Sequence, residues 1–417
     1  MKTYTKVTLL ILTVALGVTT WLATSWQGKQ VDHMMGLMDV DRNGMLQTEE
    51  ASPLMRLRFS ELDSDGDGSI GSSEISAYIR SSLFNVILRK WRARGLPVYP
   101  NNVEKESLQA ALDEMVDVLE LPGAVMLVGR NGVEGIRVRS GDFDANTVVS
   151  VASASKWVSS AVLMRLVEQG VLSLDAPLKS YIPELTGHWA ATTLQQLLSH
   201  SSGASWGHAI ENPPSMSYGE HVEQLIQIPV KNEPGVVFAY GGISMQIAGY
   251  AAERASGKRW SQLFDELVAT PSEMEQSVYG HPFWHSPGTE IHSPNLAGGL
   301  YASGQDYFNF LTTLFPDETG RGLLAKGTID QMESDLTSSL VQIVPGPRPD
   351  WFYGLGLWCE APLAGRCMQV NSAGAFGTFP WVDRETGTYG VLVTLGSIAE
   401  VLPFALNLRR LAIELEG

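Results

Sequence analysis

Thr147-Val-Val-Ser-Val-Ala-Ser153-Ala-Ser-Lys156-Trp157, continuing to Glu168, is the stretch on which the reading of this chain turns. A β-branched run reads as a strand and the segment after it as a helix. Ser153 stands at the start of that helix, where a backbone N–H is left without an intrahelical partner and can stabilise an oxyanion. Lys156 follows one turn later on the same face, within reach of the hydroxyl. A lysine serves as a base only when neutral, which needs burial or a neighbouring cation to depress its pKa. Ser153-Ala-Ser-Lys156 is the only Ser-x-x-Lys in the chain. The tetrapeptide matches by chance in many proteins, and its place at a strand-to-helix turn gives it weight.

Outward from that turn, the order of elements reads as α+β. A helix is predicted over Glu104–Leu119, strands over 122–128 and Gly135–Arg139 around an Arg130-Asn131-Gly132 turn, and helices over 153–170, 193–199, 244–256 and 304–314. Strands are predicted again over Tyr353–Trp358, Cys367–Asn371, Phe376–Val382 and Tyr389–Leu395, then a helix over Val401–Leu415. Strands at both ends with helices between them imply a sheet built from N- and C-terminal pieces.

A second candidate nucleophile lies in Gly203-Ala-Ser205-Trp-Gly207, which matches the Gly-x-Ser-x-Gly elbow. That elbow needs a buried strand before its serine and a helix after it. Here a helix and His200-Ser-Ser precede it and a Pro-rich loop follows, so Ser153 is preferred. His200 reads as a buried structural histidine, with a triad base as the alternative. The other seven histidines show no ligand spacing, and no zinc site is expected.

Here the sequence resembles the superfamily of class C β-lactamases, D-Ala-D-Ala carboxypeptidases and related esterases, over about residues 105–415. Its hallmarks occur in the family order: Gly170-Val-Leu-Ser-Leu-Asp175 leading to Tyr181-Ile-Pro183, Leu197-Leu-Ser-His200-Ser-Ser-Gly203, Pro234-Gly235-Val-Val-Phe-Ala-Tyr240, Leu296-Ala-Gly-Gly-Leu300 and Tyr353-Gly-Leu-Gly356. The resemblance implies a β-lactamase/transpeptidase-like fold, with an antiparallel sheet flanked by helices plus a mostly helical subdomain. It also implies acyl transfer through Ser153, with Lys156 and Tyr240 exchanging its proton. Tyr240-Gly241-Gly242 stands where the family has Tyr-x-Asn, so the tyrosine is kept and Gly242 replaces the asparagine. The literal matches Tyr99–Asn101 and Tyr307–Asn309 read as decoys. Ser372-Ala373-Gly374 stands where the family has Lys-Thr-Gly. Gly242, Ser372 and Gly374 are the expected substrate-binding positions, and the N–H of Ala375 the second oxyanion donor. In the family the third-motif lysine helps bind a substrate carboxylate and the second-motif asparagine contacts an amide. Their loss points to carboxylic esters. The alternatives are β-lactamase, D,D-peptidase or D-amino-acid amidase activity, or a non-catalytic binding protein on the same fold. Phe376, Phe379 and Trp381 are candidates for an apolar acyl pocket or for packing beneath the sheet, and Arg384 is a candidate replacement for the lost charge. No organic cofactor is implied.

Ahead of this region lie two acidic loops. Asp39, Asp41 and Asn43 fill positions 1, 3 and 5 of a twelve-residue EF-hand loop, with Gly44 at 6, Met45 at 7 and Glu50 at 12. Asp63, Asp65, Asp67, Gly68, Ser69 and Glu74 repeat the pattern, and Leu46 and Ile70 stand where a side chain packs between paired loops. With starts at Asp39 and Asp63 the loops must share the helix predicted over 51–62, as in compact pairs resembling dockerin modules. The expectation is an all-α pair at 26–94 holding two structural Ca²⁺ ions. Residues 95–103 then read as a linker and 104–417 as the hydrolase.

The 417 residues are 44% hydrophobic and 18% charged, ordinary for a globular enzyme plus a small module. A formal charge of −16 argues against a nucleic-acid partner, which needs a basic surface. The expected partner is a small-molecule ester or amide. Lys2 and Lys6 before the uncharged run Val7–Ala23 read as a signal peptide or N-terminal anchor over 1–25. The expected location is therefore periplasmic or cell-envelope, possible membrane association resting on residues 7–23. The Arg89-Lys90-Trp91-Arg92-Ala93-Arg94 cluster reads as a helix C-terminus or as a membrane-surface contact. Cys359 and Cys367, the only cysteines, are either a hairpin disulfide in an oxidising compartment or two unrelated thiols.

Overall fold

A computed structural model describes residues 35, 43–47, 59–77, 105–204, 216–281, 291–315, 322–344 and 346–416. The leader or anchor at 1–25, the linker at 95–103 and the basic cluster at 89–94 lie outside the described residues, as do Asp39, Asp41, Glu50 and Ser205. The described residues fall into two compact units, the first ending at 77 and the second starting at 105.

In the N-terminal unit, β1 (Met45–Leu46) pairs antiparallel with β2 (Ile70–Gly71). Leu46 stands opposite Ile70, and both are fully buried. Residues 59–62 and 72–77 are helical. The unit expected to be all-α thus carries a short β ladder, because the apolar residue after each acidic turn extends to bury its side chain against the other.

In the larger unit, helix α1 (Lys105–Leu119) leads into β3 (Gly123–Arg130) and β4 (Val133–Gly141). The register Arg130↔Val133 leaves a two-residue loop, and Asn131 and Gly132 both have positive φ (49° and 82°). That is the turn whose twist matches a hairpin, and Asn-Gly supplies it at little cost. Residues 123–129 of β3 are buried on both faces, as befits a central strand. On β4, Ile136 and Val138 point inward while Arg137 and Arg139 face solvent, as befits an edge.

After β5 (Val149–Ser150) come α2 (Ser155–Glu168) and α3 (Leu194–Leu198), then β6 (Val237–Ala239) and α4 (Ile243–Ser256). β7 (Val278–Tyr279) and β8 (Leu300–Ala302) join β5 in a three-stranded sheet ordered β5-β8-β7. α5 (Gly304–Thr312) and β9 (Val341–Val344) follow, β9 lying parallel to β6. The C-terminal strands are β10 (Phe352–Tyr353), β11 (Trp358–Leu363), β12 (Arg366–Asn371), β13 (Phe379–Asp383) and β14 (Thr388–Thr394), and α6 (Ile398–Glu416) closes the described chain. The main sheet is antiparallel throughout, in the order β10-β11-β12-β13-β14-β3-β4. Its N-terminal strands are inserted beside its last one, as the pieces at both ends of the sequence require.

α1 and α6 pack on the sheet face that carries Met126 and Val128, with Leu112, Met115, Leu408 and Leu411 in one core with Phe379 and Trp381. α5 covers the opposite face, its Gly304 lying against Val125 and Leu127. Cys359 and Cys367 form a buried disulfide within the β11–β12 hairpin, Cα atoms 5.2 Å apart.

Two strand boundaries differ from expectation. The strand predicted over Tyr353–Trp358 is interrupted at Gly354–Gly356. Gly356 has φ +85°, and a Cβ there would fall 1.8 Å from Ser160 Oγ, so the chain turns where it meets α2. The strand predicted from Phe376 starts at Phe379, because Gly377 N–H donates to the Gly374 carbonyl (2.9 Å) in a turn.

Candidate active site

Between β5 and α2 the chain makes a single 3₁₀ turn, Ala152–Ala154, with Ser153 at its centre. Ala152 adopts φ 48°, costly for a residue with a Cβ, and such strain persists only where neighbours over-determine it. They do so here. Val151 N–H donates to the Leu300 carbonyl (3.0 Å), and Leu300 N–H donates to Ser155 Oγ (3.0 Å). Ser155 Oγ donates to the Ala152 carbonyl (2.6 Å), and the Tyr307 hydroxyl donates to that of Ala154 (2.8 Å). The helix predicted from Ser153 therefore begins properly at Ser155. The second Tyr-x-Asn decoy contributes its tyrosine to the floor of the nucleophile turn.

Lys156 projects from the first turn of α2 and is buried. Its Nζ donates to Ser153 Oγ (3.2 Å) and to the Ala297 carbonyl (2.7 Å), and lies 4.7 Å from the centroid of the Tyr240 ring. Burial drops its pKa to about 7. A neutral amine next to a hydroxyl can take its proton. Ala297 belongs to the Leu296–Leu300 hallmark, whose task could not be read from residue types because it is done by a main-chain carbonyl.

Tyr240 follows β6 directly, and its N–H donates to the Val344 carbonyl of β9 (3.2 Å). Burial pushes its phenol up, and a hydrogen bond with Ser153 opposes that shift. His200, Tyr353 and Trp358 surround the ring, with centroids 4.8, 5.7 and 4.8 Å away. His200 is buried, and neither ring nitrogen has a hydrogen-bond partner among the described residues. Burial, then the Lys156 charge, holds its pKa well below the ordinary value. Such a ring is a weak base, and without a hydrogen-bond partner it suits a packing role rather than a triad base. Gly242 caps α4, and a Cβ there would stand 3.7 Å from that of Ala297, in ordinary contact.

The segment after β12 runs alongside the nucleophile turn. Ser372 is buried and donates its hydroxyl to the Ser153 carbonyl (3.1 Å). Gly374 lies so close that a Cβ would fall 2.2 Å from the Val151 carbonyl oxygen. Ala375 is exposed, and Phe376 beside it is half-buried. Ser372 thus directs its hydroxyl proton to the nucleophile turn. Of the three candidate pocket aromatics, Phe379 and Trp381 lie in the core, leaving Phe376 at the surface. Arg384 does not replace the missing cation: it makes a two-pronged pair with buried Glu333 (2.6 and 2.8 Å) and stacks on Phe315.

In the N-terminal unit, carboxylate oxygens of Asp63, Asp65 and Asp67 lie within 4.8 Å of one another. Three oxygens so gathered suit a hard cation. Ser69 donates its N–H and hydroxyl to Asp67 (2.8 and 2.7 Å), lowering the carboxyl pKa. Glu74 is turned to the loop backbone, accepting from Ser64, Asp65 and Gly71 N–H groups (2.7, 3.4 and 2.8 Å). In the first loop Asn43 accepts from Met45 N–H (2.8 Å).

The family model described as Beta-lactamase matches residues 108–410. Esterase EstB of Burkholderia gladioli is 28% identical over 194 residues, covering 40% of this chain and 49% of that one. The D-alanyl-D-alanine-carboxypeptidase/endopeptidase AmpH of Escherichia coli is 29% identical over 258 residues, covering 56% and 66%. A solved structure from Bacteroides dorei, provisionally described as a β-lactamase, superposes with TM-score 0.67 at 28% identity, covering 76% and 99%. The family match spans the sheet, the nucleophile turn and the segment after β12 alike, and the chain belongs to the β-lactamase family of serine hydrolases.

Proposed function

We propose that this protein is an exported carboxylesterase. Ser153 attacks the ester carbonyl, its proton passing to Lys156 and through Tyr240 to the departing alkoxide. The N–H groups of Ser153 and Ala375 hold the oxyanion, and water then releases the acyl group. The observation that carries the ester preference is the hydroxyl of Ser372, turned into the nucleophile turn where the family places a cation. A charge-assisted hydrogen bond is worth about 1.5–3 kcal/mol, so substrates needing a carboxylate anchor lose roughly ten- to a hundredfold. Simple esters need no such anchor, and alkoxide leaving groups need less protonation than amines. The similarity to AmpH favours D-peptide or β-lactam substrates as the second reading.

A panel of short-chain p-nitrophenyl esters, a chromogenic cephalosporin and D-amino-acid amides, run on the wild type and Ser153→Ala, tests this. Ester turnover above the other two, lost in Ser153→Ala and kept in Ser205→Ala, is expected. Efficient cephalosporin turnover with negligible ester turnover would overturn the preference.

The same reading includes two structural Ca²⁺ ions in the N-terminal loops, held by Asp39, Asp41, Asn43, the Met45 carbonyl and Glu50, and by Asp63, Asp65, Asp67, the Ser69 carbonyl and Glu74. The acidic cluster at 63–67 supports this. Export to the periplasm or cell envelope, anchored or cleaved at 7–23, is supported by the basic-then-apolar N-terminus and by the Cys359–Cys367 disulfide, which persists in oxidising compartments. Cell fractionation tests it; recovery in the cytoplasm would sink it.

A further inference from the structure

Glu360 and Arg409 form a buried pair, with Arg409 Nη1 and Nη2 donating to Glu360 Oε1 and Oε2 (2.6 and 3.0 Å). Glu360 lies on β11 and Arg409 on α6, and the guanidinium centre also sits 5.6 Å from the centroid of the Phe379 ring. Stability alone is a poor reason for such a pair, because desolvating two charges consumes most of what their attraction returns. What the pair holds is more informative. Glu360 Oε1 also accepts from Nδ2 of Asn371 (2.7 Å), the last residue of β12 and fully buried. With its NH₂ group committed there, the Asn371 amide has one orientation. Its Oδ1 therefore faces the N–H of Ala373 and accepts from it (3.1 Å).

Ala373 lies between the two contacts that join this segment to the nucleophile turn, the Ser372 hydroxyl on the Ser153 carbonyl and Gly374 against Val151. A further main-chain bond, Ile398 N–H to the Ala375 carbonyl (3.0 Å), ties the segment to the start of α6, the helix that carries Arg409.

We propose that Glu360, Arg409 and Asn371 are positioning residues for acyl transfer, fixing the path of Ser372–Ala375 so that the Ala375 N–H stays aimed at the carbonyl attacked by Ser153. None of the three touches substrate. The proposal rests on the reading of Ser153 and Ala375 given above. It differs from a purely structural role in what it predicts for Asn371→Asp, which preserves size but sets a carboxylate against Glu360. The aspartate is driven off Glu360 and Ala373 loses its acceptor. Adding Glu360→Gln restores a donor facing the new carboxylate, and the net charge returns to that of the wild type.

The test is the second-order rate of Ser153 labelling by a fluorophosphonate, which needs the nucleophile and oxyanion donors but no particular substrate, together with amide hydrogen exchange at Ala373. Asn371→Asp is expected to slow labelling about ten- to a hundredfold, as for a donor misaimed rather than removed, and to speed exchange at Ala373. The acid-limb pKa set by Lys156 should not move. The double variant with Glu360→Gln should recover labelling to within about fivefold of wild type, taking a restored donor to return most of that loss. Should Asn371→Asp fail to fold, Asn371→Ser removes the long acceptor without adding charge, and its labelling rate and Ala373 exchange are then compared with the wild type alone, with the same thresholds. Labelling within about threefold of wild type in the single variant, a change too small for a lost oxyanion donor, overturns the proposal. So does a double variant no faster than the single, or an Ala373 amide that stays protected. A wild type that never labels at Ser153 defeats the nucleophile reading instead, and exchange at Ala373 still judges the relay.

Discussion

Ser372 donates its hydroxyl to the carbonyl of Ser153 across 3.1 Å, so the segment after β12 and the nucleophile turn are fastened to each other by main chain and side chain together. Gly374 sits in the same seam. Its missing side chain would fall 2.2 Å from the Val151 carbonyl oxygen, a backbone atom with no room to yield. Gly374→Ala should therefore part the two strands by a fraction of an ångström to an ångström. A displacement of that size at a reacting centre costs about a hundredfold. The check is kcat/KM on a p-nitrophenyl ester at matched folded fraction; a value within threefold of wild type would show the seam to be slack.

Lys156 is expected to set the pH dependence. Burial lowers its pKa to about 7, and the amine works as a base only when neutral. The kcat/KM profile should rise about tenfold per pH unit below 7 and level off above it. The same shift bears on stability. The unfolded lysine keeps its proton to about pH 10.4, so between the two values the unfolded state binds more protons and stability climbs with pH. Lys156→Met removes that burden. It should abolish turnover and raise the melting temperature at pH 7, a trade shared by strained active sites. A lower melting temperature in that variant would mean the lysine holds the fold together.

The buried histidines are expected to make the fold acid-labile. Burial lowers His221 to about 4, and holds His200 and His281 well below the ordinary value. All three are neutral when folded. Unfolded, they take up protons near pH 6.5. Between that value and about 4 the unfolded state binds more protons, so stability is full above pH 6.5 and is lost as the pH falls towards 4. Replacing His200, which packs among Phe238, Tyr240 and Tyr353, with Phe should shrink the fall in melting temperature between pH 7.5 and 5. An unchanged slope would acquit His200.

Calcium should bind twice per chain and raise the melting temperature of the N-terminal unit. Without metal, the carboxylates of Asp63, Asp65 and Asp67 repel one another at close range. Isothermal titration of the full chain should show two sites, and Asp63→Ala only one. No heat at millimolar calcium would refute both.

Much of the site was legible because its chemistry resides in side chains at helical spacing. Ser153 and Lys156 lie one turn apart, and Tyr240 follows a short apolar strand. The remainder depends on pairings between distant segments. The Ala297 carbonyl reaches Lys156 across 141 residues, and no residue type announces a working carbonyl. Ser372 reads from the sequence as a substrate-binding position, and only the position of the Ser153 carbonyl shows that its hydroxyl also reaches the nucleophile turn. Arg384 looked available until Glu333 was found beside it. In the fold, the run from Tyr353 to Trp358 looks continuous by composition, yet it breaks where Gly354 meets the Met332 carbonyl and Gly356 meets Ser160 of α2. Packing beneath the sheet is expected for at least one of Phe376, Phe379 and Trp381, but the sequence does not say which, since an aromatic on a strand does not state which side its helices cover.

The order of the main sheet also bears on how the protein is made. β3, apolar on both faces, pairs with β4 along one edge but finds the partner for its other edge only in β14, and the Thr394 hydroxyl reaches the Gly123 carbonyl across 271 residues. A chain delivered N-terminus first, from a ribosome or through a translocation channel, must carry that sticky strand with one edge bare until nearly its last residues arrive. Folding dominated by such distant pairings is slow, and a bare apolar edge invites pairing with other chains. The yield of folded protein should therefore depend on holdase chaperones more than the stability of the finished enzyme would suggest, and a truncation before Thr388 should leave an aggregating fragment rather than a smaller enzyme.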